Sequence, residues 1–122
     1  MSIINSFSGQ YSFLSNFYTL RDGKTVEHYY QAAKARNMSD RLKILNADTP
    51  GYAKKLGKHI QIRDDWYEYK FVVMEYELVR KFSDPKLMQK LLSTGKSLLI
   101  EGNWWGDRIW GVCDGVGENR LG

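Results

Sequence analysis

Apolar positions in this chain fall at helical spacing through its middle and at no fixed spacing towards its ends. Between Trp66 and Phe82, the residues Tyr67, Phe71, Met74, Leu78 and Phe82 recur at three- and four-residue steps, while Trp66, Tyr69, Val73 and Tyr76 trace a second stripe. The pattern predicts the longest helix of the chain, capped by Asp64-Asp65, apolar on two faces and therefore at the centre of the core. Upstream, Thr25-Val26-Glu27-His28 reads as the capping-type entry of a helix running to about Met38. Asp48-Thr49-Pro50 supplies a cap with Pro at the first helical position, and Gly57 closes that short helix. Asp84-Pro85 opens a further helix ended by Gly95, and Leu98-Leu99-Ile100 predicts a short buried strand.

The flanks lack this periodicity. Ile3 to Tyr18 alternates aromatics with Ser and Gly, which predicts short extended pieces joined by turns, and Asp22-Gly23 is a turn signal. From Gly102 to Gly122 lie six of the 11 glycines and three of the four tryptophans, a loop-rich ending. With no repeat, low-complexity tract or linker, the expectation is one domain over residues 1–122, a predominantly helical α+β fold with a small β-sheet.

Composition narrows the class. At 43% hydrophobic and 26% charged residues the chain is ordinary globular protein, and no apolar run is long enough for a spanning helix. The opening residues have neither secretory nor transit character. A single cysteine, Cys113, excludes an intramolecular disulfide framework and a multi-thiolate metal site, and is expected to be a small buried residue. His28 and His59 are too few for a metal cluster and are read as structural. The expectation is a cytosolic domain away from membranes, with no metal and no cofactor. The net charge of +4 is concentrated. Lys34, Arg36, Arg41, Lys43, Lys54, Lys55, Lys58 and Arg63 face only Asp40 and Asp48, so this window carries +6 and the rest −2. Such a block suits a phosphate-bearing ligand or a nucleic acid, or is simply a solvated helical surface.

Three constellations could carry chemistry. Glu27, Tyr30, Gln31 and Lys34 share one helix face, gathering a carboxylate, a phenol, an amide and an amine. An exposed Glu–Lys face, or Glu27 acting as a helix cap, would explain the same spacing. In the second, Trp104, Trp105 and Trp110 surround Asp107 in a glycine-rich stretch. That suits a flat heterocycle stacked on indole with an acid aimed at its edge, although core packing accounts for one or two of the rings. The third, the glycine-rich run from Gly111 to Gly122, lacks the residues of a phosphate-binding loop and is weak evidence by itself.

Five ordered motifs resemble one family. Phe13-Leu14-Ser15-Asn16-Phe17-Tyr18, Glu27-His28-Tyr29-Tyr30-Gln31-Ala32-Ala33-Lys34, Arg63-Asp64-Asp65-Trp66, Gly102-Asn103-Trp104-Trp105-Gly106-Asp107 with Trp110-Gly111, and Gly117-Glu118-Asn119-Arg120-Leu121-Gly122 are similar to the NADAR family, the YbiA-like N-glycosidases. The resemblance implies an enzyme acting on N-glycosidic bonds to ribose. Its substrate would be a phosphorylated ribosyl or ADP-ribosyl compound: a ribosylamino-pyrimidine phosphate of riboflavin synthesis, or ADP-ribosylated guanine in DNA. It implies catalytic roles for Glu27, Asp107 and Lys34 and substrate contacts from Asn16, Phe17, Tyr30, Trp66, Trp104, Trp110 and Asn119. Many relatives continue past the Leu-Gly motif with which this sequence ends.

Hydrolysis at the ribose anomeric carbon passes through an oxocarbenium-like state. A carboxylate stabilises that cation or activates water, here Glu27, with Asp107 sharing the work or holding ribose hydroxyls. In a second route the sugar opens and Lys34 takes it as a Schiff base. Glu27 would oppose that route by favouring charged Lys34, so direct hydrolysis is preferred. The competing class is a module that binds ADP-ribose or single-stranded nucleic acid without chemistry. Against it stand Glu27 and Asp107, since carboxylates in a groove repel a polyanion.

Overall fold

Thr25 opens helix α1 (Val26–Lys34) as the sequence predicts. Its hydroxyl accepts from the His28 N–H, and the His28 ring reaches back to the Thr25 N–H, a reciprocal capping box. His28 Nε2 also meets the Ala47 carbonyl at 2.9 Å. A carbonyl only accepts, so Nε2 carries the ring proton and Nδ1 accepts from Thr25. His28 is buried and structural, tying the start of α1 to the loop before α3.

The computed structural model describes residues 2–122, which divide into two compact units, Asn16–Pro85 and residues 2–15 with 86–122. In the first unit α1 packs against α2 (Met38–Leu45), α3 (Pro50–Leu56) and α4 (Trp66–Lys81). Helix α1 stops at Lys34, short of the expected Met38. Ala35 turns extended and bridges Ile62 antiparallel, with Arg36 N–H donating to Gln61 and Arg63 N–H to Lys34. Asn37 then caps α2, accepting from the Asp40 N–H at 2.8 Å, a helix the sequence pattern did not predict. Thr49 caps α3 with Pro50 at its first position, as expected. Ala32, Ile44 and Ala53 form the fully buried contact among α1, α2 and α3, and two alanines let the helix axes approach closely.

Helix α4 departs from its prediction. Trp66, Val73, Met74, Glu77 and Lys81 line one buried face, drawing apolar residues from both predicted stripes. Tyr67 and Tyr76 stand 75% and 66% exposed, so the helix is not apolar-packed on two sides. Asp65 sits at the cap position without capping, its carboxylate held by Arg63 at 3.0 Å. Burial pulls the Lys81 amine down to about 8, beside the rings of Phe82 and Tyr18. Burial also pushes the Glu77 carboxyl up, opposed by Arg80 at 3.3 Å.

In the second unit a 3-10 helix over Gly9–Leu14 replaces the expected extended pieces and carries Phe13 and Leu14 into the core. Strand β1 (Ile3–Ile4) pairs in parallel with β2 (Leu98–Leu99), and Ser8 and Ser15 on either side of the 3-10 helix are extended. Leu98 is 46% exposed, so the strand predicted as buried is an edge. Helix α5 (Pro85–Ser93) buries Leu87. A second parallel pair joins β3 (Gly102–Asn103) to β4 (Val112–Cys113), with Cys113 buried as expected. The fold is mostly helical with small sheets. Among the described residues no helix is long and apolar enough to cross a membrane.

Candidate active site

Capping by Thr25 leaves Glu27 without a capping role, although it lies in the first turn. Its side chain is buried, only 7% exposed, and Oε1 accepts from Gln31 Nε2 at 2.9 Å, one helical turn on. The Glu27 N–H donates to the Asn16 carbonyl at 3.1 Å, which fixes the Asn16-Phe17 segment against α1. Two buried amide oxygens in this unit have no hydrogen-bond partner, Asn16 Oδ1 and Gln31 Oε1, and both belong to residues bonded directly to Glu27. Buried acceptors are rarely left unmet; the Asn16 amide faces Met74 through its Nδ2, and Gln31 Oε1 lies against Gly57. Gln31 had entered the sequence reading only as a member of the helix face. Its burial, invisible in the spacing, gives it this weight.

Lys34 closes the same face of α1. Burial lowers its amine from the usual lysine value, Glu27 raises it and Lys58 lowers it further. Glu27 does favour the charged form, as the sequence predicts, but burial outweighs it. Tyr30 and Trp66 are buried against each other, ring centroids 5.0 Å apart at 56°, so Trp66 backs the site through Tyr30. Phe17 is 45% exposed. Lys58, counted only as part of the basic window, enters the neighbourhood of Lys34 from the end of α3.

The rest of that window is largely engaged elsewhere. Arg36 pairs with Asp64, Arg63 with Asp65, and Arg41 Nε donates to the Ala35 carbonyl. Lys43 lines a separate cavity of about 420 Å³ between α2 and α3, with Leu42, Ala47 and Tyr52. The two aspartates immediately after the window cancel much of the charge block.

The Asp107 group belongs to the second unit. Asp107 Oδ1 accepts from the N–H groups of Ile109 and Trp110 at 3.1 and 2.9 Å, and Asn103 brackets the Asp107 backbone from both sides. The acid therefore builds its own turn with one oxygen. Asn119, at φ 53, accepts from the Glu101 N–H and donates to the Leu99 carbonyl, so its amide ties β2 to the chain before β3. Trp104 is 86% exposed and meets Trp105 edge-on at 5.7 Å, while Trp110 is half-buried.

A family model described as the NADAR domain matches residues 5–122. The chain belongs to the NADAR family. It is 35% identical to N-glycosidase YbiA of Escherichia coli (strain K12) over 133 aligned positions, covering 99% of this chain and 82% of that protein. It is also 35% identical to a riboflavin biosynthesis protein of Vibrio vulnificus across 92% of its own length, and spans only 33% of that relative. The NMR structure of the Escherichia coli YbiA protein superposes with a TM-score of 0.83 at 34% identity, covering 98% of this NADAR chain and 78% of the other. Among the described residues no three His, Cys, Asp or Glu side chains gather as a metal site.

Proposed function

We propose that this NADAR protein is an N-glycosidase that hydrolyses the bond between a phosphorylated ribose and a base or exocyclic amine. The observation that carries the reading is the buried Glu27 carboxylate, held at Oε1 by Gln31 on the helix face it shares with Lys34. A buried, oriented carboxylate suits the cationic anomeric carbon of a ribosyl transition state. The similarity to proteins named N-glycosidase points to the same bond.

In the direct route, water attacks the anomeric carbon as the C–N bond breaks. Glu27 accepts the water proton or stabilises the oxocarbenium charge, the departing nitrogen takes a proton, and free sugar and base leave. Gln31 holds Oε1 and so orients the carboxylate. The two substrates that fit are a ribosylamino-pyrimidine phosphate, in keeping with relatives named for riboflavin biosynthesis, and ADP-ribosylated guanine in DNA. We place the protein in the cytosol, where such substrates occur.

Mass-spectrometric detection of the cleavage products, free aminopyrimidine from the ribosylamino-pyrimidine phosphate and free ADP-ribose from the modified oligonucleotide, in wild type and Glu27→Gln tests this reading. Release by wild type from either substrate, lost in Glu27→Gln, supports it. Retained turnover in the variant refutes the role of Glu27. ADP-ribose binding with no release from either substrate would make the protein a binding module.

A further inference from the structure

We propose that the cavity between α2 and α3 seats one base of a single-stranded nucleic acid, stacked on Tyr52, with Lys43 and Lys55 taking the strand's phosphates. The inference goes beyond the N-glycosidase reading and makes no use of Glu27. The cavity holds about 420 Å³, walled by Leu42, Leu56 and the Tyr52 ring, with Lys43, Asn46 and Asp48 as its charged and amide groups. Among the described residues, the side chains of Lys43, Asn46, Asp48 and Tyr52 make no hydrogen bond, ion pair or ring contact. By contrast, Arg36, Arg63 and Arg41 of the basic window are engaged by Asp64, Asp65 and the Ala35 carbonyl. An apolar floor ringed by a few uncommitted polar groups is the make-up of a ligand site. Its walls are set in advance: Asn46 ends α2, Thr49 caps α3, and Ala47 between them is held by His28 at 2.9 Å.

Charge and exposure select the occupant. Lys55 is exposed and stands three residues beyond Tyr52, on the same flank of α3. Lys43 and Lys55 against Asp48 leave the mouth positive, which suits phosphate, while Asp48 and Asn46 offer acceptors to the N–H groups on a base edge. Leu42 and Tyr52 are 51% and 50% exposed, so a free nucleotide would lie half in water. Sites for small ligands cover most of the ligand surface. One base of a strand needs no such enclosure, because phosphate contacts on either side share the binding.

The experiment titrates a fluorescein-labelled, unmodified single-stranded DNA of about 12 nucleotides, within the span such grooves cover, and reads anisotropy at several salt concentrations. Wild type is compared with Tyr52→Ala, Tyr52→Phe, Lys43→Ala and Lys96→Ala, the last removing the same charge from the other unit. The expected result is binding by wild type, weakened about tenfold in Tyr52→Ala and retained in Tyr52→Phe, which keeps the ring. Lys43→Ala reduces the slope of log affinity against log salt by about 0.7, the share of one phosphate contact on a single strand, and Lys96→Ala leaves it in place. No binding by wild type, full binding by Tyr52→Ala, or equal losses in Lys43→Ala and Lys96→Ala overturns the proposal. AMP bound as tightly as the strand, with the same dependence on Tyr52, would make this a free-nucleotide pocket and overturn the strand. The DNA carries no ADP-ribose and no bond is cleaved, so the outcome is independent of the cleavage assay that tests the N-glycosidase reading.

Discussion

Gly57→Ala isolates the contact that joins α3 to Glu27. Gly57 has φ −60 and ψ −17, ordinary helical values, so alanine is conformationally acceptable there. Taken alone, that exchange stabilises by about 0.5–1 kcal/mol, because the unfolded chain loses freedom. The new Cβ, however, falls 2.8 Å from Gln31 Cδ where 3.4 Å is an ordinary contact, so the amide must withdraw by about 0.6 Å at Cδ and further at Oε1. Gln31 is buried, and its Nε2 is committed to Glu27 at 2.9 Å. Losing a buried hydrogen bond to a charged group costs about 1.5–3 kcal/mol. The net expectation is a loss of about 1–2 kcal/mol, which at this chain length lowers Tm by roughly 4–8 °C. Calorimetric or circular-dichroism melts of wild type, Gly57→Ala, Gln31→Ala and the double variant measure the coupling. In the Gln31→Ala background, Gly57→Ala becomes neutral or stabilising. If Gly57→Ala raises Tm in the wild-type background, Gln31 is not pinned between Gly57 and Glu27.

Borohydride added during turnover traps no Lys34 adduct if hydrolysis is direct; a mass increment on Lys34 would establish the Schiff-base route. His28→Ala keeps the Thr25 hydroxyl on the residue-28 N–H but loses the ring's bond to the Thr25 N–H and the Ala47 tie, for an expected loss of about 2 kcal/mol in chemical denaturation, whereas a loss below about 0.5 kcal/mol would rule out the paired role. Asn119→Ala removes two hydrogen bonds and places alanine at φ 53, for an expected loss of about 2 kcal/mol, and a melt unchanged from wild type would contradict the cross-tie. Lys81 has its folded-state amine lowered to about 8 from an ordinary 10.5, so between these values the unfolded chain binds more protons. Its contribution to stability therefore rises with pH across that window, and Lys81→Met flattens the rise in denaturation measured from pH 7 to 10.

The sequence by itself determined the family, the helical class, four helix starts at Val26, Pro50, Trp66 and Pro85, and the gathering of Glu27, Gln31 and Lys34. Each is local or periodic information: a Thr or Pro at a cap, a three- and four-residue step, an ordered motif. Where tertiary context competes with local preference, the sequence pattern misled. Tyr67 and Tyr76 look like core residues by spacing, yet α4 meets α1 along a single face, and Glu77 and Lys81 are buried in their stead. The break between α1 and α2 depends on Ala35 bridging Ile62, a pairing 27 residues away in the chain. The 3-10 turn at Gly9–Leu14 likewise carries no periodic signal.

The site divides in the same way. Spacing placed Glu27 and Lys34 on one helix face, but only packing buried the carboxylate, left Asn16 Oδ1 and Gln31 Oε1 without donors, and seated Gly57 against the Gln31 amide. Charge counting saw eight cations in a window. The fold neutralised two of its arginines with Asp64 and Asp65, because an ion pair is set by distance in space and not by position in sequence.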